Sequence, residues 1–339
     1  MSKYKDLLNL VQEDSKEETP TLNSRVLLID SMNMFIRSFS TINKFNTQGH
    51  HTGGLTGYLR SLGAMINTLN PTRVVLFFDG EGNITNKKNL YADYKGTRKI
   101  KRITNWTGFD NLEQESESMK DQMLRLIDYL KCLPVSIVIV DKLEADDTIA
   151  YCAPLFDESI IVSADQDFLQ LVSDKISVYS PIKKKYYTPK VIFDEFGLWP
   201  QNFLNKKIIL GDTSDNVPKV PKIGPGKLMK MFPELEGTTP ITLQEIIDKS
   251  LIESKNNPWY GDIYNFKHQL YINEKLMDLK NPNIPEQEKV RLDELVKAKP
   301  YNFNKTKFLN YYNTDKLENS IQNLNYWLSD KFEGLNKYK

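Results

Sequence analysis

The chain has 339 residues, with 45 Lys+Arg against 44 Asp+Glu, a formal net charge of +1. At 40% hydrophobic and 26% charged it has the composition of a folded chain long enough to bury one large core or two smaller ones, which excludes disorder. Cys132 and Cys152 with three histidines exclude a disulfide framework and a four-cysteine zinc site. No apolar run reaches the ~18 residues of a spanning helix and no signal-peptide pattern opens the chain, so the expected compartment is a reducing cytoplasm without membrane contact.

Residues 1–20 read as a loosely attached tail in which Tyr4, Leu7, Leu8 and Val11 share helical spacing ahead of Glu13, Asp14, Glu17 and Glu18. Apolar runs over 25–30, 73–79, 135–140 and 159–163 predict short buried strands. Between them, 54–69, 112–132 and 144–156 carry helix periodicity, and Gly53-Gly54 reads as a turn entering the first of these. A helix over 166–172 and a hairpin over 176–187 follow. Beyond residue 200 only helical segments are expected, over 200–210, 226–232, 241–250, 258–279, 287–299 and 304–329. Strand–helix alternation followed by helices predicts an α/β domain over 21–200, its mostly parallel central sheet flanked by helices, and a helical domain over 201–339.

Charge is sorted along this plan. Residues 87–102 are basic, with Lys87, Lys88, Lys95, Arg98, Lys99, Lys101 and Arg102 against Asp93 alone; residues 110–121 are acidic; Lys219, Lys222, Lys227 and Lys230 form another basic stretch. Each block taken alone is an ordinary solvated face. Acids also close the strands: Asp30 the first, Asp79 the second, Glu144, Asp146 and Asp147 after the third, Asp165 and Asp167 after the fourth. One such acid is most often a helix cap. Seven at the carboxyl edge of one parallel sheet, where ligands of open α/β sheets bind, would repel one another unless cations sit among them. Hard divalent ions such as Mg²⁺ or Mn²⁺ fit an all-oxygen set, and two of them about 4 Å apart suit phosphodiester cleavage. No Walker loop or nucleophile elbow competes. Asp212 and Asp215 extend the set if their segment folds over the sheet. Ile223-Gly224-Pro225-Gly226 then enters a helix near Lys227, a turn that offers backbone amides and lysines to phosphate.

In order and spacing, Asp30, Asp79, Glu144-Ala145-Asp146-Asp147, Asp165-x-Asp167, Gly211-Asp212-x-Ser214-Asp215 and the Gly224-Pro225-Gly226 turn resemble the flap endonuclease / 5′-nuclease superfamily over residues 25–232, in finer detail the phage-type RNase H. The resemblance implies a PIN-like core, a helical arch over 86–120, and a C-terminal helical domain with a helix–turn–helix DNA clamp. It implies two metal ions: Asp30, Asp79, Glu144, Asp146 and Asp165 around the first, and Asp147, Asp167, Asp212 and Asp215 around the second. Tyr94-Lys95-Gly-Thr-Arg98 resembles the family's arch base, with Lys95 and Arg98 as the catalytic cations and Tyr94 stacking on a terminal base. Arg37 matches a phosphate-contacting position. Lys219, Lys222, Gly224, Gly226 and Lys227 are the expected duplex contacts. Lys219 and Lys222 stand where polymerase-type relatives commonly have glycines, which bears on a monovalent ion at 223–226. Trp106 is either part of the arch's contact with single strand or its hydrophobic anchor.

The expected activity is hydrolysis near a 5′ end of RNA–DNA hybrid, recessed duplex or flap, leaving a 5′-phosphate and a 3′-hydroxyl, in removing RNA primers during replication. A sliding clamp docking on the tail, a single-stranded DNA-binding protein docking on the C-terminal domain, a monomeric state and, for a phage-encoded chain, the host cytoplasm complete the expectation. A non-catalytic structure-specific DNA binder would show a broken carboxylate set, whereas none of the matched acids is missing. A PIN-type ribonuclease would lack the 211–226 segment.

Overall fold

A computed structural model describes residues 20–96, 104–105 and 107–338. The tail over 1–19, Arg98 and Trp106 lie outside the described residues. Six strands form one sheet in the order β3-β2-β1-β4-β5-β6: β1 Val26–Asp30, β2 Arg73–Asp79, β3 Ser136–Val140, β4 Ser159–Val162, β5 Ile176–Ser180 and β6 Lys185–Tyr187. The first five are parallel, and β6 returns antiparallel to β5. Both faces are covered, and side chains alternate between them. Leu27, Ile29, Val74, Leu76, Ile160 and Val162 join one core, while Val26, Leu28, Val75, Phe77 and Ile161 join the other. Strand order reverses between β1 and β4, so the crevice expected of such a sheet opens where Asp30 and Asp165 emerge.

Helices α1 (Ser31–Thr41), α2 (Gly53–Leu69), α3 (Thr85–Leu90), α4 (Leu112–Leu130) and α5 (Ala145–Cys152) connect these strands. The expected elements do not include α1, although Met34, Phe35 and Phe39 give it one apolar face, or α3, whose Asn- and Lys-rich six residues are too short to show a period. It also missed α6 (Pro189–Phe196), although Thr188 caps it and Pro189 opens it. The segment expected as a helix over 166–172 is a 3₁₀ helix over Gln166–Leu171. The expected helix over 258–279 breaks at Phe266, and that over 304–329 divides into Lys305–Thr314 and Leu324–Phe332. In the second break Lys316, Asn319 and Asn323 take positive φ, a conformation asparagine tolerates and a helix cannot continue through.

A helical module with its own core runs from α7 (Pro200–Leu210) through α8 (Pro225–Met231) to Lys267–Met277, burying Ile208, Ile209, Val220, Leu228, Phe232 and Ile246 together. Loop 211–224 joins α7 to α8, so this pair differs from the expected helix–turn–helix by a long connection in place of a tight turn. The remaining helices do not extend the module. Leu292 and Val296 of Glu286–Lys297 pack into one face of the sheet domain, and Phe308, Tyr312, Leu328 and Phe332 pack into the other. The division expected at residue 200 therefore separates the sheet from helices that cover it.

Arg125 ties this return to α4, donating Nε and Nη2 to the two Asp315 oxygens at 2.7 and 3.0 Å while its guanidinium lies 4.0 Å from the Tyr311 ring centroid. Phe308→Ala, at a fully buried position against Tyr129, is expected to cost about 3–5 kcal/mol in urea unfolding followed by circular dichroism. A loss below about 1 kcal/mol would show that the C-terminal helices are peripheral.

Candidate active site

Four strand ends place acids by local rules that each have a structural purpose. Asp30 ends β1 and caps α1, accepting the Asn33 amide at 3.1 Å, while its other oxygen accepts Ser163 Oγ at 3.2 Å. Asp79 ends β2 and accepts the Ala145 amide at 2.8 Å, so it satisfies the first turn of α5, which carries Asp146 and Asp147. Gly80 follows because a Cβ there would stand 1.9 Å from the Val140 carbonyl oxygen, where the β2 and β3 exits meet. Asp165 caps the 3₁₀ helix by accepting the Asp167 amide at 2.9 Å. Gly211, at φ +63, leaves α7 so closely against Val217 and Lys219 that no side chain fits, and the following loop brings Asp215 back.

Asp30, Asp79, Glu144, Asp146, Asp165 and Asp215 line a single cavity of about 450 Å³ with Lys95 and Arg37. Burial pushes the Asp30 carboxyl up to about 6, against the Asn33 amide, and the neighbouring charges of Asp79 and Asp165 add to the rise. Asp146 is driven up by burial and by Asp147 and Glu144, with Lys87 acting in the opposite sense. A crowded set of hard oxygen donors whose members hold one another's protons fits a divalent cation, and these are the residues that would bind it.

Two ammonium groups already answer part of that demand. Lys95 contacts Glu144 Oε1 and lies 4.0 Å from an Asp215 oxygen. Its backbone takes φ +54, and its amide donates to the Asp215 carbonyl at 2.8 Å, so the 211–217 loop fixes it. A non-glycine residue in this region costs on the order of 1 kcal/mol, which the Asp215 contact helps to offset. Lys87 reaches Glu144 Oε2 at 2.8 Å and Asp147 at 3.1 Å. Burial opposes the charge of Glu144, yet Lys87 and Lys95 hold its carboxyl below the usual range.

One expectation needs correction. Tyr94 is not a stacking platform: it is 2% exposed, and its hydroxyl donates to Glu144 at 3.1 Å and Asp215 at 3.3 Å, so it supports the acids from behind. Asp147 does not line the cavity and instead faces Lys87. Asp167 and Asp212 are likewise drawn away, each 2.6 Å from Lys207 Nζ. Burial and Asp165 push Asp167 up to about 6 despite Lys207. For Asp212, the Lys207 and Ser214 hydrogen bonds outweigh burial and hold the carboxyl down at about 2. The sequence reading did not single out Lys87 or Lys207 for the site. Lys87 was one of several lysines in a basic stretch, and Lys207, in the last turn of α7, gave no signal except its nearness to Asp212.

Arg37 is exposed at the cavity rim. Lys219 and Lys222 are exposed on the 211–224 loop, and Lys227 donates to the Lys222 carbonyl at 3.0 Å and stands 3.8 Å from the Trp259 ring centroid. A Cβ at Gly224 or Gly226 would meet nothing within 4 Å. No helix among the described residues is long and apolar enough to cross a membrane.

Residues 25–197 match the family model described as 5′-3′ exonuclease, N-terminal resolvase-like domain. A 5′-3′ exonuclease of Bacillus subtilis (strain 168) is 30% identical over 226 residues, 63% of this chain and 71% of that protein. DNA polymerase I of Streptococcus pneumoniae is 27% identical over 329 residues, 92% of this chain but only 34% of the polymerase. Among solved structures, the bacteriophage T5 flap endonuclease in a pseudo-enzyme–product complex with DNA and metal ions gives a TM-score of 0.61 at 19% identity, over 87% of this chain and 99% of that one. Human GEN1 in complex with Holliday junction DNA gives 0.57 at 16% identity, over 97% and 76%. At such identities the likeness is one of fold.

Asp79→Asn removes one of the charges that raise Asp30. Carboxyl NMR titration of Asp30 in the metal-free protein is expected to give a midpoint below about 6; an unmoved midpoint would mean the two acids do not sense each other.

Proposed function

The chain belongs to the 5′-3′ exonuclease family and is a nuclease, and from that premise we propose that it cleaves phosphodiesters near the 5′ ends of RNA–DNA hybrid, recessed duplex and flap substrates, using two Mg²⁺ (or Mn²⁺) ions. The observation that carries this reading is the convergence of acids from four strand ends with Lys95 and Arg37 in one cavity. Divalent ions bound there supply Lewis acidity toward phosphoryl oxygens and lower the pKa of water.

The chain's own residues supply the rest. Asp30, Asp79, Glu144, Asp146 and Asp165 hold the first cation, Asp30 and Asp79 already oriented by the backbone amides and hydroxyl that they accept, and Asp167, Asp212 and Asp215 position the second, in part through water. Lys95, poised over the acids and 12% exposed, offers an ammonium to the charge that grows on the scissile phosphate. Arg37 at the rim grips an adjacent phosphate, and Arg98, three residues beyond Lys95, has the same assignment as in the family pattern. Duplex runs over Lys219, Lys222 and Lys227. The protein's own packing does not demand glycine at 224 or 226, which supports close approach there by a partner's backbone. A monovalent ion at 223–226, a sliding clamp on residues 1–20 and a single-stranded DNA-binding protein on the C-terminal helices belong to the same reading, with the protein acting as a monomer.

Asp146→Asn is expected to abolish cleavage in Mg²⁺ while leaving duplex binding in Ca²⁺ near wild type; full cleavage would remove the cavity from the chemistry. Lys95→Ala is expected to lower kcat by roughly 100-fold or more with a much smaller change in KM, and an unchanged kcat would remove Lys95 from the reacting centre. Deleting residues 1–20 is expected to end stimulation by the clamp and to spare cleavage of short hybrids; undiminished stimulation would refute the docking role.

A further inference from the structure

Lys87 is buried, 9% exposed, and is carried by the short helix over Thr85–Leu90 at the base of the basic stretch. Its Nζ lies 2.8 Å from Glu144 Oε2, 3.2 and 3.1 Å from the two Asp147 oxygens, and 3.7 Å from Asp146 Oδ1. Ligating oxygens of these same three acids all lie within 4.8 Å of one another, close enough to hold a metal ion. The cation among them is an ammonium.

Two features separate this position from the catalytic cavity. Asp147 is absent from the cavity lining and borders a different depression, beside Asn86, Lys87 and Lys142. Glu144 is shared between the two sides: one oxygen meets Lys87 and the other meets Lys95. A tethered ammonium offsets only part of the negative charge on the three acids, which stay attractive to a divalent ion on the cavity side. It also occupies the position behind them that a further ion would take.

We propose that Lys87 is a resident counter-cation, a positioning residue that holds Glu144 and Asp146 toward the cavity and takes Asp147 out of the divalent-ion ligand set. The inference rests on the metal-dependent nuclease reading above and assigns the ligands within it. Lysine suits the task because its charge is attached to the chain and does not vary with the supply of ions. Removing it leaves three carboxylates, Glu144 buried and Asp146 partly exposed, around a space of cation size, and that gives the proposal a readout a purely structural lysine would not produce.

The test counts Mn²⁺ ions bound per chain, by electron paramagnetic resonance of the free ion and without DNA. Asp147→Asn, whose amide oxygen still accepts from Lys87, is expected to bind the wild-type number of ions; loss of one ion would make Asp147 a ligand and overturn the proposal. Lys87→Met is expected to bind one ion more than wild type, and Lys87→Arg the wild-type number. An unchanged count in Lys87→Met would show that the ammonium keeps no ion out. Should Lys87→Met fail to fold, the double variant Lys87→Met with Asp147→Asn removes one charge of each sign and is expected to restore both folding and the wild-type count; a lower count would overturn the proposal. Asp146→Asn serves as the reference: an undiminished count there would sink the cavity reading itself, a failure separate from that of Lys87.

Discussion

Mutual repulsion among carboxylates is the constraint on which the rest of the molecule depends. A parallel sheet aims the carboxyl ends of its strands at one edge, and here each of four ends carries acid. Buried together, these groups raise one another's proton affinity, as Asp30 and Asp146 both show. Such a cluster persists only with positive charge supplied from elsewhere in the fold. The basic stretch over 87–95 supplies Lys87 and Lys95, and α7 supplies Lys207. Helix α7 also leads into the loop that carries Asp215, and the Lys95 amide holds that loop by the Asp215 carbonyl, so the charge balance and the shape of the site have a shared origin.

The near-neutral net charge takes its meaning from that arrangement. Acids gather at the sheet edge, and exposed lysines gather along the 211–230 segment. An equal count of opposite charges is compatible with a nucleic-acid partner because the two signs occupy different surfaces.

The strands, their parallel order and the edge acids were legible because each rests on short-range information: a run of buried apolar residues followed by one polar residue. Val26–Asp30 and Arg73–Asp79 are such runs. The family resemblance added the grouping of Asp215 with the sheet acids, which spacing alone left conditional. What stayed illegible depends on contacts between distant segments. Tyr94 looks like an exposed aromatic in a basic stretch until Val217, Leu276 and Met277 are packed around it. Asp147 and Asp146 are adjacent in sequence, yet a helical step of one residue turns them to different surroundings, one toward Lys87 and the other toward the cavity as well. The return of Phe308 and Phe332 to the sheet is likewise invisible to periodicity, since an amphipathic helix does not announce which core it will join.

That return has a consequence for the order in which the molecule comes into being. During synthesis the strands and every acid of the cavity have left the ribosome by the time Asp215 appears. One face of the same sheet still lacks Phe308, Leu328, Phe332 and Leu335, and the other lacks Leu292 and Val296. A nascent chain at that point therefore carries the cavity acids on a sheet whose two cores are still incomplete. Completion of both cores around the site therefore rests on residues that follow every acid of the cavity in sequence.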